Sequence, residues 1–109
     1  DLVRKYNEDG SLFSEEHPRY IKAATDAAQK LKLTNRVFEI NTGPICRGYT
    51  TKPYPSDYIL GLLSGSGVVI SSDCHEKTKL DFYFKEAAEA AEKHNLKVVN
   101  SMDEIRKFR

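Results

Sequence analysis

Apolar residues recur at helical spacing through residues 14–33, at Tyr20, Ile21, Ala24, Ala27, Ala28 and Leu31. Lys22, Asp26, Lys30 and Lys32 fall on the other side, so the pattern predicts a long amphipathic helix that stops near Thr34-Asn35. Ahead of it, Asn7-Glu8-Asp9-Gly10-Ser11 reads as a turn, because Asp-Gly supplies the backbone freedom of a tight reversal. Arg36-Val37-Phe38-Glu39-Ile40 is then a short strand, and residues 41–53 form a loop holding Gly43, Pro44 and Gly48. A second helix begins at Pro55 or Ser56, with Ser as its cap, presents Tyr58, Ile59, Leu62 and Leu63, and ends at Ser64-Gly65-Ser66-Gly67. Val68-Val69-Ile70-Ser71 is the next strand. A third helix over residues 80–93 buries Phe84, Ala87, Ala88 and Ala91 and is terminated by Asn95. Leu96-Lys97-Val98-Val99 is a third strand, and Ser101 caps a last helix over residues 102–109.

Strands alternating with helices across short turns call for an α/β fold, with parallel β/α units joined by right-handed crossovers. Three strands make either a small open sheet or the last portion of a β/α barrel. No internal repeat or linker divides the chain, so residues 1–109 are expected to form a single unit. Its 109 residues suffice for one modest core.

Composition narrows the function classes. Seventeen Lys and Arg against sixteen Asp and Glu leave a net charge of +1, which gives no broad electrostatic footprint for a nucleic acid backbone. Cys46 and Cys74 are too few for a disulfide-rich scaffold and lack zinc-knuckle spacing, so partly buried thiols in a reducing compartment are expected. No apolar run approaches the length of a membrane span or a targeting segment, which predicts a cytoplasmic protein. The first residue is Asp1 rather than Met, which fits a processed or excised chain.

Parallel α/β proteins gather their chemistry at the carboxyl ends of the strands. At one such end stands Ser71-Ser72-Asp73-Cys74-His75. If the chain stays extended there, Asp73 and His75 point the same way while Cys74 points elsewhere, and a carboxylate with an imidazole suits zinc, iron or manganese. The alternative is that Asp73 caps the next helix and His75 is a hydrogen-bonding or exposed residue. Alternation also separates Cys74 from His75, which argues against thiol catalysis. At the other end, Glu39 and Asn41 share a strand face, and a Glu inside a strand requires an Arg, a hydrogen-bond partner or a metal. Arg47, in the following loop, has the geometry to grip a phosphate or carboxylate bidentately, or it is simply solvated. His17 and His94 sit at helix ends, at the surface, with no route to Asp73.

In order along the chain, Glu39-Ile40-Asn41-Thr42-Gly43, Arg47-Gly48, Tyr54-Pro55-Ser56, Ile59-Leu60 and Ser72-Asp73-Cys74-His75 resemble the C-terminal part of histidinol-phosphate phosphatases of the polymerase-and-histidinol-phosphatase (PHP) superfamily. The opening Asp1-Leu2-Val3-Arg4-Lys5-Tyr6 resembles the segment after a ligand-bearing His in that family. The resemblance implies the C-terminal, three-stranded portion of a distorted (β/α)7 TIM-like barrel. It implies a divalent metal cluster of zinc, manganese or iron, and hydrolysis of histidinol phosphate in histidine biosynthesis. It makes Asp73 and His75 the final metal ligands and catalytic pair, Arg47 the phosphate-holding residue, and Asn41 and Glu39 pocket residues that orient substrate. Cys74 stands where the family commonly has Ala, a small-for-small change. The family's His-x-His pair and its middle Glu and His ligands have no counterpart in the sequence, so the chain alone is expected to be inactive and its cluster incomplete.

The partners so implied are a small phosphorylated substrate, the N-terminal barrel segment and further copies meeting through exposed apolar surface, with no membrane and no nucleic acid. Two other functions compete. One is a metal-free α/β interaction module with an unclosed sheet edge. The other is a PHP-type nuclease or proofreading domain, against which the near-neutral charge and the lack of a basic-aromatic strip argue.

Overall fold

The computed structural model describes residues 2–108. Its elements are α1 (Leu2–Asn7), α2 (Pro18–Leu33), β1 (Phe38–Asn41), α3 (Gly43–Cys46), α4 (Asp57–Leu62), β2 (Gly67–Ser71), a 3₁₀ turn (Lys77–Lys79), α5 (Phe84–Lys93), β3 (Lys97–Val98) and α6 (Met102–Arg106). The three strands form one open, all-parallel sheet in the order β1-β2-β3. The alternation expected from the sequence is therefore present, with a 3₁₀ turn at Lys77–Lys79 and two helices added. Helix α1 precedes the turn at Gly10, and α3 occupies what reads as loop, since Gly43-Pro44 places Pro in a first helical turn where its missing N–H costs nothing. The last helix stops at Arg106, with Lys107 as its C-cap, short of the expected run to residue 109; Arg109 itself lies outside the described residues.

Side chains of paired positions in a parallel register share a face, so Ile40 with Ile70 and Phe38 with Val68 face one way, and Glu39 with Val69 and Asn41 with Ser71 the other. The first face carries the core. Ile40 and Val68 are fully buried there with Leu60 and Leu63 from the α4 segment, Ala87 and Ala91 from α5, Leu96, and Ala28 from α2. Burying each Ile, Leu or Val is worth about 1.5–3 kcal/mol. Ala87 and Ala91 stand one turn apart, and having no bulk beyond Cβ they let α5 lie close against β2 and β3. On the opposite face the ring of Phe108 lies over Gly67, where a Cβ would come within 2.8–3.0 Å of it.

The caps follow the sequence closely. Ser56 accepts from Ile59 N at 3.4 Å and Ser101 from Glu104 N at 3.2 Å. Asn95 takes the left-handed conformation that ends α5 at φ 53°. Two expectations fail. Of the apolar stripe assigned to α2 only Ala28 is buried, while Ile21, Ala27 and Leu31 are exposed, because among the described residues α4 is the one helix against which α2 makes extensive contact. The third helix starts at Phe84 rather than near Leu80, because Tyr83 adopts φ 64° and interrupts the right-handed path. No helix among the described residues is long and apolar enough to cross a membrane.

Candidate functional site

The carboxyl ends of β1 and β2 lie side by side, Asn41 in register with Ser71. The Thr42 amide donates to the Ser71 carbonyl at 2.8 Å, so the two strand ends are tied beyond the last ladder position. On its outer edge Asn41 exchanges two backbone hydrogen bonds with Tyr54, at 2.9 and 3.0 Å, which folds the 48–54 segment back onto β1. The Asn41 side chain then accepts from the Gly43 amide at 2.9 Å, an Asx turn that opens α3.

Gly43, Cys46 and Arg47 occupy positions i, i+3 and i+4 and so share one side of α3. That side faces the segment after β2. A Cβ on Gly43 would collide with the Ser72 carbonyl and would lie 2.9 Å from the Arg47 guanidinium and 3.0 Å from Asn41 Oδ1. From there Arg47 Nη1 donates to the Asp73 carbonyl at 3.0 Å and Nη2 to Asp73 Oδ2 at 3.2 Å. Asn41, Arg47 and Asp73, three of the residues singled out from sequence, thus meet around one glycine. Their side chains are reached by solvent, Arg47 at 32% and Asp73 at 52% exposure, so the ion pair is worth at most about 1 kcal/mol. Two of the five guanidinium N–H groups are directed at Asp73, and the group also lies 5.8 Å from the Tyr49 ring centroid. No family model, curated protein or solved structure matches this chain.

Other expectations are met differently. The chain does not stay extended from Ser71 to His75, because β2 ends at Ser71 and Asp73 turns to φ 45°, a conformation Asp tolerates better than most residues. Strict alternation therefore does not govern Asp73, Cys74 and His75. His75 is exposed and joins neither Arg47 nor Asp73 by hydrogen bond or ion pair among the described residues. Cys74 Sγ is turned onto Glu76, donating to its carbonyl at 2.6 Å and accepting from its amide at 3.2 Å. Glu39 is exposed rather than buried in a strand interior, and its carboxylate receives the Asn41 amide at 3.5 Å, so the desolvation that would demand a cation does not arise.

Asp73 and His75 have the donor chemistry of a hard or borderline metal, but among the described residues no group of three or more His, Cys, Asp or Glu side chains could hold an ion.

Both remaining histidines sit at helix ends. His17 is the N-cap of α2, its Nδ1 accepting from Arg19 N at 3.2 Å. His94 is more covered than a surface residue, at 16% side-chain exposure, because Nε2 lies 3.3 Å from Asp57 Oδ1 while Lys93 holds Oδ2 at 3.2 Å. Desolvation pushes the Asp57 carboxyl up, yet the hydrogen bonds from Lys93 and His94 outweigh it and hold the pKa below its ordinary value.

Sequence reasoning passed over two buried hydroxyls that position the site. Thr42 Oγ1 donates to the Phe82 carbonyl and Ser72 Oγ to the Leu80 carbonyl, both at 2.8 Å, and together they pin the 72–83 loop above the strand ends. The available signal was that each hydroxyl directly follows a strand, where a buried polar side chain must find a backbone partner.

Proposed function

We propose that this chain is the C-terminal part of a metal-dependent phosphomonoester hydrolase of the histidinol-phosphate phosphatase type, a three-stranded portion of a distorted (β/α)7 barrel. The observation that carries it is the convergence of the Arg47 guanidinium, the Asn41 amide and the Asp73 carboxylate at adjoining strand ends. In this proposal Arg47 takes the phosphate, Asn41 and Glu39 orient the rest of the substrate, and Asp73 with His75 contributes to a divalent metal centre completed by donors beyond this chain. Such a metal, when bound, supplies a water-derived nucleophile and offsets phosphoryl charge.

The chain's own part is electrostatic. Arg47 is planar, permanently charged and held by Asp73 in an orientation that leaves N–H donors unused, so a phosphate dianion meets a partly preorganised fork. The anion competes with Asp73 Oδ2 for Nη2. Arg47→Lys removes the fork and keeps the charge.

Two measurements test the proposal. Inorganic phosphate and histidinol phosphate titrated into the chain should shift the amide resonances of residues 41–48 and 72–74, and Arg47→Lys should weaken that binding about tenfold. Phosphate release from histidinol phosphate by the longer enzyme with manganese or zinc should exceed a metal blank, while the 109-residue chain alone should not. A longer protein with no turnover, or a chain that binds phosphate equally with Lys at position 47, defeats the proposal.

A metal-free interaction module is the second reading. It is favoured by a groove of about 470 Å³ along the outer edge of β1, lined by Val3, Tyr20, Ala24, Leu31, Phe38 and Ile59 among others.

A further inference from the structure

Strand β1 stands at one edge of the sheet, with β2 on one side only. Along a strand, successive residues direct their N–H and C=O groups to opposite edges. Thr42 donates inward to Ser71, whereas Asn41 exchanges both of its backbone bonds outward with Tyr54. Glu39, two residues before Asn41, therefore directs its own N–H and C=O outward. Among the described residues no backbone group meets them.

This open edge lies in an apolar setting. The groove of about 470 Å³ takes in Phe38 from the core face and Glu39 from the opposite face, so it straddles the edge itself. Tyr20, Ala24 and Leu31 of α2 line it together with Ile59, and Leu31 is still 50% exposed. The part of the α2 stripe left without a helix to cover it thus borders unpaired backbone. Among the described residues lining the groove, Glu39 is the single charged one. Its carboxylate has no cationic partner among the described residues, only the Asn41 amide at 3.5 Å.

We infer that this edge takes up an extended segment of a partner protein as a fourth strand, with the local pattern apolar–basic–apolar. Unpaired backbone at a sheet edge selects an extended chain, and the side chains facing it select the sequence. Bonds to the Glu39 N–H and C=O set the segment beside β1 at about 4.8 Å. The residue in register with Glu39 then shares its face, so a Lys or Arg there meets the unpaired carboxylate. The residues on either side of it point to the core face and enter the groove beside Phe38. A second copy of this chain fits less well. Its own edge can set only residues 37 and 39 against Glu39, and neither Val37 nor a second Glu39 is basic. The chain's own apolar–Lys–apolar runs are already engaged. Leu31-Lys32-Leu33 belongs to α2 and the turn that ends it, and Lys97 of Leu96-Lys97-Val98 faces β2, its N–H donating to Ser66 at 2.9 Å. The inference rests on the interaction-module reading, to which it gives an occupant, and does not depend on the hydrolase.

The isotope-labelled 109-residue chain is titrated to millimolar concentration with the acetylated, amidated peptide Ser-Thr-Val-Lys-Val-Thr-Ser and followed by amide resonances and hydrogen exchange. Resonances of residues 37–39, Ala24 and Leu31 should move. Exchange at the Glu39 amide should slow with occupancy, about tenfold when peptide stands at ten times its Kd, while Ile40, already paired with β2, changes little. The same peptide with Glu in place of Lys should bind at least about threefold more weakly, and Glu39→Lys, at an exposed position, should reverse that preference. Shifts at α2 with unchanged exchange at Glu39 would overturn strand addition and leave the interaction reading standing. Equal binding of the two peptides would overturn the basic pattern, and the same shifts on concentrating the chain without peptide would assign the edge to a second copy. No shift anywhere along the groove would remove the interaction reading as well.

Discussion

Gly43→Ala should destabilise the chain although the backbone favours the change. Gly43 is the first residue of α3 and does not adopt positive φ, so Ala there reduces unfolded-state freedom and would ordinarily add about 0.5–1 kcal/mol. The contact reverses the sign. The new Cβ meets the Ser72 carbonyl, a backbone atom next to Ser71, whose own carbonyl is bonded to the Thr42 amide, so neither strand end can withdraw without breaking that 2.8 Å bond. Overpacking of this kind costs about 1–3 kcal/mol, and against an unyielding backbone atom the upper half of that range applies, which leaves a net loss of about 1–2.5 kcal/mol and a melting temperature lower by about 5–15 °C. Gly61→Ala is the matched control. It too is helical and lacks positive φ, but its Cβ would sit 3.6 Å from His94 Nδ1, an ordinary contact, so it should be neutral or stabilising by up to about 1 kcal/mol. Thermal melts of the three proteins followed by circular dichroism decide the matter. A Gly43→Ala protein as stable as the parent would refute the close packing of the two strand ends.

Asn7→Ala should cost about 1–3 kcal/mol in a urea titration, because the buried amide accepts from the Leu12 and Phe13 N–H groups at 2.9 and 3.1 Å and donates to the Phe13 carbonyl at 2.9 Å. An unchanged midpoint would mean that solvent replaces all three bonds. Ser56→Ala should cost about 1 kcal/mol and Ser56→Gly much less, since the hydroxyl caps α4 and Gly tolerates the cap conformation; equal losses would assign the effect to something other than the cap. Asp57 carries a sign that pH can expose. Its folded carboxyl titrates below the ordinary 3.8, so it stabilises the fold fully above that value and the contribution fades as pH falls through the lower folded value. Urea midpoints measured from neutral to strongly acidic pH should therefore fall less steeply for Asp57→Asn than for the parent, and parallel curves would exclude the Lys93 and His94 contacts as its cause.

Much of the framework was legible because the relevant signals are local. Val68 and Ile40 lie in short apolar runs bounded by turn residues, Ser56 and Ser101 stand one residue ahead of helices, and Asn95 sits at a left-handed stop. The failures share a physical origin in tertiary context. Ile21 and Leu31 have helical spacing, but spacing does not say whether a partner covers that side, and of the α2 stripe Ala28 alone is fully buried. Alternation makes Asp73 and His75 convergent only on an extended segment, whereas Asp73 turns left-handed where its amide donates to the Ser71 hydroxyl and Arg47, brought in from the end of α3, bonds its carboxylate. Arg47 reaches Asp73 beyond the end of β2 because the loop after a parallel strand has few places to go. Gly43, quoted only as part of a pattern, proved to be the position on which the site converges, and its importance is steric, a property invisible until Ser72 is brought against it.

The hydroxyls of Thr42 and Ser72 give the 72–83 loop a separable opening event. Leu80 and Phe82 remain largely outside the core, at 64% and 37% exposure, so two hydrogen bonds to their carbonyls fasten the segment in place of buried apolar side chains. A segment fastened in this way lifts off by a sub-global fluctuation while the sheet stays folded. Limited proteolysis of the native chain should nick it near Lys77 and Lys79 long before global unfolding, and Thr42→Val, which keeps the shape and deletes the donor, should hasten that cleavage with little change in the core's slowest-exchanging amides.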